Sequence, residues 1–537
     1  MLKRVFKFLS LVISWLATVF DTSQKLYPGR LAYKHELNNL EITAFDGKHL
    51  HIGEGDYGQV YAVKPTKKRR ELGNSIKLGT TRCGKSSAEL CQIVDWEGSE
   101  IIFDIKREIY PQVAGYLATK GRLITIDLSR GLGNQYDPLQ GHTSERELHK
   151  LAKHLVFDPN DKETIFNERA AKMLTQLFLA ARELDERPLP YVASVINLGL
   201  NEVAGRLNAV SPLLAQTFLD TTYTPGKDYE KSEFRADAWG TLSTRLYSFL
   251  TPEIVRCFAG SDFTAADLYF AEKPVFVFIS FHESDLLSMA PLIKFVCESL
   301  FMELITAYDD APDTMKQKSR NILWSMDEAG RIGIPNLPEH ASTVTGRKIT
   351  LSMSAQSRSQ FTAVYGRERT ENLFTNIRTQ LVFSQADLQT AKHYSERMGD
   401  TSGYAHSVSE HGGDRTSTGK SEREIPVMSP QDFLEMDDGE AVCFIGKKIK
   451  PFRVISMDAR RHPQLAKRIG IKPPEVPKAP VLALPEPAPA RKPPPLPSWH
   501  FDPQLFRKWP QFLDESRRGE GEQSQDRELV DEVSLGL

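Results

Sequence analysis

One stretch of eight residues limits what this chain can fold into. It fits the pattern G-x-x-x-x-G-K-[ST], which is the phosphate-binding loop of nucleoside triphosphatases. Glycines are needed there because successive backbone N–H groups must close around a dense negative charge. The candidate nucleotide-binding residues are Gly79, Thr80, Thr81, Arg82, Cys83, Gly84, Lys85 and Ser86.

Two residues of this loop have the most specific expected roles. The Lys85 ammonium would reach the outer phosphates, and the Ser86 hydroxyl would ligate Mg²⁺. A real loop of this kind needs a strand before it and a helix after it. Residues 86–94 predict the helix, whereas the predicted strand at 75–78 is short and polar, which is the weakest part of the match.

A second motif lies in the other half of the chain, at residues 321–328. It is an apolar strand that ends in Asp327 and Glu328, as in the second half of a phosphate-binding-loop ATPase. Asp327 is expected to hold Mg²⁺, directly or through water, and Glu328 to polarise the attacking water as a general base. The chain has no N-K-x-D guanine motif, so ATP is the expected nucleotide.

The next predicted strand, residues 348–356, adds two candidate catalytic residues. Gln356 follows the strand and could sense the γ-phosphate or position water. Arg347 stands at its start, away from the ligand end, so it is either an arginine finger for a neighbouring subunit or a surface salt bridge.

The fold class predicted by the strand and helix pattern is α/β, with a parallel sheet that binds ligand at the carboxyl ends of its strands. Asp104 and Asp127 end two such strands and should lie on the ligand side. Strand signals stop from about 143 to 251, where helical patterns indicate an all-helical insertion.

Two other features give weaker signals. Residues 53–64 match a kinase glycine loop, but the chain lacks the H-R-D and D-F-G motifs, so two short strands joined by glycine turns are expected. The five cysteines form no C-x-x-C pair, and the net charge of −2 gives no global signature of nucleic-acid binding.

The first 35 residues begin with Lys3, Arg4 and Lys7, followed by 13 uncharged residues at 8–20. A helical membrane span needs about 20 such residues, so four interpretations compete: a short span, an interfacial anchor, a signal peptide and an ordinary buried helix. Because the predicted ATPase needs cytosolic ATP, we expect membrane attachment without export of the body.

Three later segments have unusual composition. Residues 400–425 are rich in Gly, Ser, Thr and His and predict a mobile loop. Residues 472–497 contain 11 prolines and predict an extended linker. Residues 514–537 carry 8 acidic and 3 basic side chains, which indicates a disordered tail that either docks a partner or only solubilises the chain.

Taken in order, several motifs of this chain resemble the type IV secretion coupling proteins, the TraD/TraG-like conjugation ATPases. The resemblance covers about residues 70–455 and rests on the phosphate-binding loop together with five short stretches: Phe103-Asp104-Ile105-Lys106, Tyr136-Asp137-Pro138-Leu139, Met326-Asp327-Glu328, Gly346-Arg347-Lys348 and Gln356-Ser357-Arg358-Ser359-Gln360.

The resemblance implies a RecA-like motor with an inserted all-helical domain. It implies a homohexamer at the cytoplasmic face of the bacterial inner membrane, with DNA, relaxase proteins and type IV secretion channel subunits as partners. It also implies phosphate binding at Lys85 and Ser86, Mg²⁺ and catalysis at Asp327 and Glu328, an intersubunit role for Arg347, and γ-phosphate sensing at Gln356. The family usually has two membrane helices at its N-terminus, whereas this chain has at most one short span.

Two other classes of protein remain open at this stage. One is a soluble FtsK/HerA-like ATPase that pumps or packages DNA, and the other is a non-catalytic adaptor that binds nucleotide and recruits cargo through its tail. Turnover that rises with single-stranded DNA would favour a motor, and cargo binding through residues 499–537 without turnover would favour the adaptor.

The expected domain organisation follows these features. It comprises a membrane-anchoring segment, two parts of a nucleotide-binding domain separated by the helical insertion, and a proline-rich linker with an acidic tail. The corresponding residues are 1–35, 36–143, 144–250, 251–465 and 466–537.

Overall fold

A computed structural model of the chain describes residues 29–65, 71–157, 164–411, 415–446 and 448–477. Contacts divide the chain into residues 1–489 and 490–537, and all described residues belong to the first unit. The predicted membrane segment up to residue 28, and the linker and tail from residue 478 onward, lie outside the described residues.

The strands of the chain include those predicted at 75–78, 321–328 and 348–356, together with further ones. They are β1 (Glu41–Ile42), β2 (Leu50–Glu54), β3 (Val60–Val63), β4 (Asn74–Leu78), β5 (Ser99–Phe103), β6 (Arg122–Asp127), β7 (Leu132–Gly133), β8 (Val275–Ser280), β9 (Ile322–Met326), β10 (Ile349–Ala355), β11 (Ile377–Phe383), β12 (Asp400–His411), β13 (Arg415–Pro426), β14 (Glu440–Ile445) and β15 (Phe452–Ile455). The kinase-like stretch forms β2 and β3, an antiparallel pair, as expected.

A 13-stranded sheet holds the molecule together, in the order β1-β3-β2-β15-β14-β11-β4-β10-β9-β5-β8-β6-β7. The seven strands from β11 to β6 in this order are parallel to their neighbours. Antiparallel strands extend the sheet on both sides. Parallel strands require crossover connections, and the chain supplies them with helices.

The α-helices lie between these strands or in one long run. They are α1 (Lys85–Asp95), α2 (Tyr110–Lys120), α3 (Glu145–Val156), α4 (Thr164–Glu183), α5 (Pro188–Val195), α6 (Leu200–Val210), α7 (Pro212–Leu219), α8 (Glu233–Tyr247), α9 (Pro252–Arg256), α10 (Ala265–Phe270), α11 (Leu286–Asp309), α12 (Asp313–Lys318), α13 (Ala329–Ile332), α14 (Leu337–Thr343), α15 (Arg358–Thr375), α16 (Leu388–Met398) and α17 (Pro430–Leu434). Helices α3 to α8 occupy the predicted insertion, although its boundaries as a separate domain stay a prediction.

Both faces of the parallel strands are covered, so most of their side chains are buried. Ile101, Phe103 and Met353 belong to one hydrophobic cluster, which also contains residues of α11, α15 and α16. Ile102 and Leu323 belong to the other, which contains residues of α1 and α2. Neighbouring residues of one strand point to opposite faces. This explains the apolar runs by which the sequence located these strands.

The predicted mobile loop at 400–425 is wrong. Strands β12 and β13 pair antiparallel over their full length, from Asp400 opposite Pro426 to His411 opposite Arg415. They form a separate two-stranded sheet between α16 and α17. Backbone hydrogen bonding needs no apolar residues, so a Ser- and Thr-rich segment can pair along a partner of equal length.

Candidate nucleotide-binding site

The phosphate-binding loop connects β4 to α1, at the carboxyl end of a central parallel strand. Its backbone enters the left-handed region at Arg82, with φ of 66°, and at Gly84, with φ of 106°. A Cβ on Gly79 would lie 2.6 Å from both the Cys83 Sγ and the Phe383 Cβ. Side chains are therefore excluded at Gly79, and glycine is favoured at Gly84 by its φ angle.

Lys85 lies inside the curve of this loop. Its Nζ donates to the carbonyl oxygens of Gly79 and Thr80, at 2.6 and 2.5 Å, and its side chain is buried. Thr81, Arg82 and Ser86 are exposed. The lysine is the first residue of α1, and a helix N-terminus favours anions.

A segment near the end of the described chain closes the loop from one side, and the sequence did not predict it. Ser456 Oγ donates to the Gly84 carbonyl at 2.8 Å, and the Gly439 N–H donates to the Cys83 carbonyl at 3.2 Å. A Cβ on Gly84 would lie 2.9 Å from the Ser456 Cβ. Ser456 follows β15, more than 370 residues after the loop, so no local pattern could connect them.

The Asp-Glu pair follows β9 at the same edge of the sheet. Burial raises the pKa of Asp327 to about 6, and the neighbouring Glu328 carboxylate adds to the rise. Asp327 is therefore largely ionised at neutral pH, as a metal ligand must be. Glu328 is in the left-handed region with φ of 56° and is only 3% exposed.

The Glu328 carboxylate has an incomplete set of partners. Its Oε1 lies 3.4 Å from the Lys106 Nζ, while its Oε2 is buried and makes no hydrogen bond within the described residues. An unpaired buried carboxylate oxygen is costly, so such groups indicate a place where a further partner is expected. The sequence singled out Glu328 but gave no role to Lys106.

Beneath the loop, a buried ion pair joins the elements that carry the two motifs. The Lys77 Nζ on β4 lies 2.5 Å from the Glu89 Oε2 on α1, and it also donates to the Ser352 Oγ on β10 at 2.9 Å. The other carboxylate oxygen of Glu89 accepts from the Ser325 Oγ on β9 at 2.5 Å. These contacts explain why the strand before the loop is polar: Lys77 has a partner 12 residues later.

Gln356 and Arg347 lie at opposite ends of β10. Ala355 pairs with Leu78 in the sheet, so Gln356 follows next to Gly79, at the edge of the sheet that holds the Asp-Glu pair. Arg347 precedes β10 at the other edge, in a 3₁₀ turn over Val344–Arg347. Its guanidinium donates to both carboxylate oxygens of Asp309, at 2.8 and 2.7 Å.

Asp104 and Asp127 lie on the ligand side of the sheet, as expected, but both are engaged by the protein. The Asp104 carboxylate accepts from three consecutive backbone N–H groups at the start of α2. Asp127 pairs with Arg107 at 2.6 Å. Neither position is therefore left open for a ligand.

The described residues contain no group of three or more His, Cys, Asp and Glu residues that could hold a metal ion. Within the same residues, no helix combines the length and the apolar character that crossing a bilayer requires.

The sequence matches the profile of the family described as "Type IV secretory system Conjugative DNA transfer" over residues 38–454. The chain belongs to this family. The match covers both nucleotide motifs, Arg347 and Gln356. It ends within β15, the strand that precedes Ser456. Comparison with curated proteins gave no match.

The fold of this family member is similar to solved structures of the bacterial conjugative coupling protein TrwB. The trigonal TrwBdeltaN70 form in complex with sulphate has a TM-score of 0.58 at 14% identity, covering 82% of this chain and 96% of that one. TrwB with the ATP analogue ADPNP has a TM-score of 0.58 at 15% identity, covering 82% and 97%. TrwB with ADP and Mg²⁺ has a TM-score of 0.54 at 16% identity, covering 73% and 87%. At such identities the likeness concerns the fold alone.

Proposed function

We propose that this chain is the ATP-driven coupling protein of a type IV secretion system and delivers DNA, as a relaxase-linked single strand, to the secretion channel. The observation that carries the proposal is the meeting of both nucleotide motifs at one edge of the sheet in a member of the conjugative DNA transfer family. The TrwB structures with ADPNP and with ADP and Mg²⁺ support nucleotide binding by this chain.

The residues present fit Mg²⁺-ATP. Lys85 and the N-terminus of α1 supply positive charge for phosphates, and Gly84 allows the left-handed backbone turn of the loop. Ser86 and Asp327 would be the protein ligands of Mg²⁺, which commonly keeps few protein ligands and completes its shell with phosphate and water. The Oε2 of Glu328 makes no hydrogen bond within the described residues, so this carboxylate can serve as the base for an attacking water once it turns toward solvent.

Each of these side chains then has one task. When bound, Mg²⁺-ATP supplies the phosphoryl group that water attacks. Lys85 offsets negative charge on the outer phosphates, and Glu328 accepts the proton of the attacking water. Gln356, adjacent to Gly79 across the sheet, orients that water or senses the terminal phosphate. Arg347 lies at the far edge and would serve the site of the next subunit in a hexameric ring.

The cellular setting is part of the proposal. The family is that of conjugative DNA transfer, so DNA, relaxase proteins and secretion channel subunits are the proposed partners. Residues 1–35 are the proposed attachment to the inner membrane, with the described body on the cytoplasmic face.

Phosphate release by the purified full chain tests the catalytic assignment. Lys85→Ala should weaken ATP binding, whereas Glu328→Gln should bind ATP and turn over roughly 10²–10⁴-fold more slowly, the range expected for a lost general base. Glu97→Gln is the matched control, because Glu97 is exposed and its partner at 3.8 Å is the exposed Lys48.

A wild-type rate no higher than that of Glu328→Gln would contradict the assignment. A rate that rises with single-stranded DNA supports a DNA-driven motor. Tight ATP binding without turnover in the wild type would instead favour the adaptor.

A further inference from the structure

The loop that follows β5, residues 104–109, holds two cationic side chains in fixed places. It is anchored by Asp104, whose carboxylate accepts three backbone N–H groups at 2.8–3.1 Å. The Arg107 N–H also donates to the Asp104 carbonyl at 3.3 Å. Lys106 and Arg107 therefore project from a rigid turn rather than from a free loop.

Lys106 faces the candidate general base. Its Nζ is 3.4 Å from the Glu328 Oε1, and its side chain is 30% exposed while that of Glu328 is 4% exposed. In this position the Glu328 Oε2 is shielded from solvent. One carboxylate oxygen is thus occupied by an ammonium and the other is closed to water, so this conformation of Glu328 is not one that accepts a proton from water.

Arg107 points to the opposite side of the same turn. Its φ of 55° is left-handed, which lets the side chains of two consecutive residues reach different strands. Its Nη2 lies 2.6 Å from the Oδ1 of Asp127, which also accepts the Arg130 N–H at 3.1 Å. Asp127 ends β6, and from there the chain runs through β7 into the helices α3 to α8.

We propose that Lys106 restrains Glu328 in a resting position, and that the Arg107–Asp127 pair ties this restraint to the segment leading into the inserted helices. Hydrolysis then requires Lys106 to withdraw, and a displacement of the β6–β7 segment provides the withdrawal. The inference rests on the proposed function, because a restraint on Glu328 matters only if Glu328 is the base.

The physical basis is competition for one carboxylate. Opposite charges 3.4 Å apart attract each other, so the Lys106 ammonium competes with water for the Glu328 carboxylate. The pair is also partly buried, which reduces screening by salt. Removing the ammonium frees the Glu328 Oε1 and lets the carboxylate turn toward solvent.

Lys106→Met tests the restraint in the full chain. Turnover without DNA should rise roughly tenfold, the factor that corresponds to about 1.4 kcal/mol. The stimulation by single-stranded DNA should shrink correspondingly. Lys106→Arg retains a cation and should keep the low basal rate, and Lys48→Met, which removes an exposed lysine from a surface pair, should change nothing.

Unchanged or lower turnover in Lys106→Met overturns the restraint. A fall in turnover that Lys106→Arg rescues would overturn it too, and would assign Lys106 a favourable contact in the reaction instead. The rise in Lys106→Met must also vanish in Lys106→Met/Glu328→Gln. If wild type and Glu328→Gln already turn over equally, the proposed function itself fails, which is a separate outcome.

Arg107→Met tests the tie to β6. It should raise basal turnover in the same direction, and the double variant Lys106→Met/Arg107→Met should be no faster than Lys106→Met alone, because both changes release the same restraint. Two results would overturn the link to β6. One is a turnover in the double variant that equals the product of the two separate increases, and the other is an Arg107→Met turnover equal to that of the wild type.

Discussion

The candidate catalytic residues at the two edges of the parallel strands, Glu328 and Arg347, differ in their burial and in their ion pairing. At the carboxyl edge, Glu328 is buried, one of its oxygens makes no hydrogen bond within the described residues, and its one cation lies at 3.4 Å. At the amino edge, Arg347 and Asp309 form a bidentate pair at 2.7–2.8 Å with side chains 26% and 46% exposed. Glu328 is thus buried and poorly paired, whereas the Arg347–Asp309 pair is more exposed and well paired.

This difference shows which edge is prepared for a ligand. A buried carboxylate without partners is costly, and it persists where a bound group completes it. Space is a poorer guide: a cavity of about 910 Å³ opens at the amino edge, beside Gly73, Thr345 and Arg378, away from both nucleotide motifs. The chemistry of the side chains, rather than the volume, indicates the site.

The largest expected effect concerns the Arg347–Asp309 pair at the amino edge. If Arg347 leaves Asp309 to serve a neighbouring subunit, Arg347→Ala should lower turnover by roughly 10³–10⁵, as for other arginine fingers. Asp309→Asn keeps the arginine and removes the carboxylate with which it pairs in the chain, so it should retain turnover. Steady-state phosphate release by both variants at ring-forming concentrations makes the comparison.

Mixing supplies the control for that prediction. Arg347→Ala and Lys85→Ala should partly restore each other's activity, because some intact Lys85 sites then face an intact Arg347. Equal, small losses in Arg347→Ala and Asp309→Asn would instead assign the pair a structural role, and Arg347 would be a surface salt bridge.

A smaller effect concerns the ion pair under the carboxyl edge. Breaking a buried pair leaves one uncompensated charge and typically costs about 3–5 kcal/mol. Lys77→Met or Glu89→Met should therefore destabilise the chain by this amount, and the double variant should recover much of the loss. Chemical unfolding with a double-mutant cycle measures it.

The exposed pair between Arg369 and Glu339, with side chains 43% and 52% exposed, is the matched control. Its coupling should stay below about 1 kcal/mol. A coupling between Lys77 and Glu89 that is equally small would mean that the network beneath the loop is not strongly coupled.

The smallest expected effect concerns Glu303, a buried carboxyl that lies at neither the carboxyl nor the amino edge of the parallel strands. Burial raises the pKa of Glu303 on α11 to about 8, against the lowering effect of the hydrogen bond from Tyr136. The folded state thus holds a proton that the unfolded chain releases above pH 4.5. Stability contributed by this group is therefore present at low pH and falls as the pH rises toward about 8.

Glu303→Gln removes this titration, so its thermal midpoint should vary less between pH 5 and pH 8 than that of the wild type. Equal slopes for the two proteins would show that Glu303 is ionised in the folded chain. The buried Glu303 carboxyl is neutralised by a proton, whereas the Glu328 carboxylate is expected to gain a partner from a bound ligand.

The sequence predicted the parts of the site that are local in the chain. The loop at 79–86 and the strand ending in Asp327 and Glu328 each carry their geometry within a few residues, and both lie where expected. The helices and the buried strands were found because their apolar periodicity is strong.

Contacts between distant residues could not be predicted in the same way. Lys106 and Glu328 are 222 residues apart, and Gly84 and Ser456 are 372 apart, so their meeting depends on the strand order of the sheet. The hairpin from β12 to β13 was missed for another reason. Its polar composition is typical of a loop, and pairing through the backbone leaves little trace in side-chain pattern.

The contacts of residues 470–477 matter for the design of shortened versions of this protein. The Gly470 N–H donates to the Gln112 carbonyl at 2.9 Å, and the Gly133 N–H donates to the Pro477 carbonyl at 2.9 Å. Gly115 on α2 is small because a Cβ there would lie 2.1 Å from the Ile471 carbonyl oxygen. A shortened chain that lacks only the proline-rich tail should therefore keep residues up to 477. A chain that ends at 465 would lose these contacts and expose the surface of α2 around Gly115.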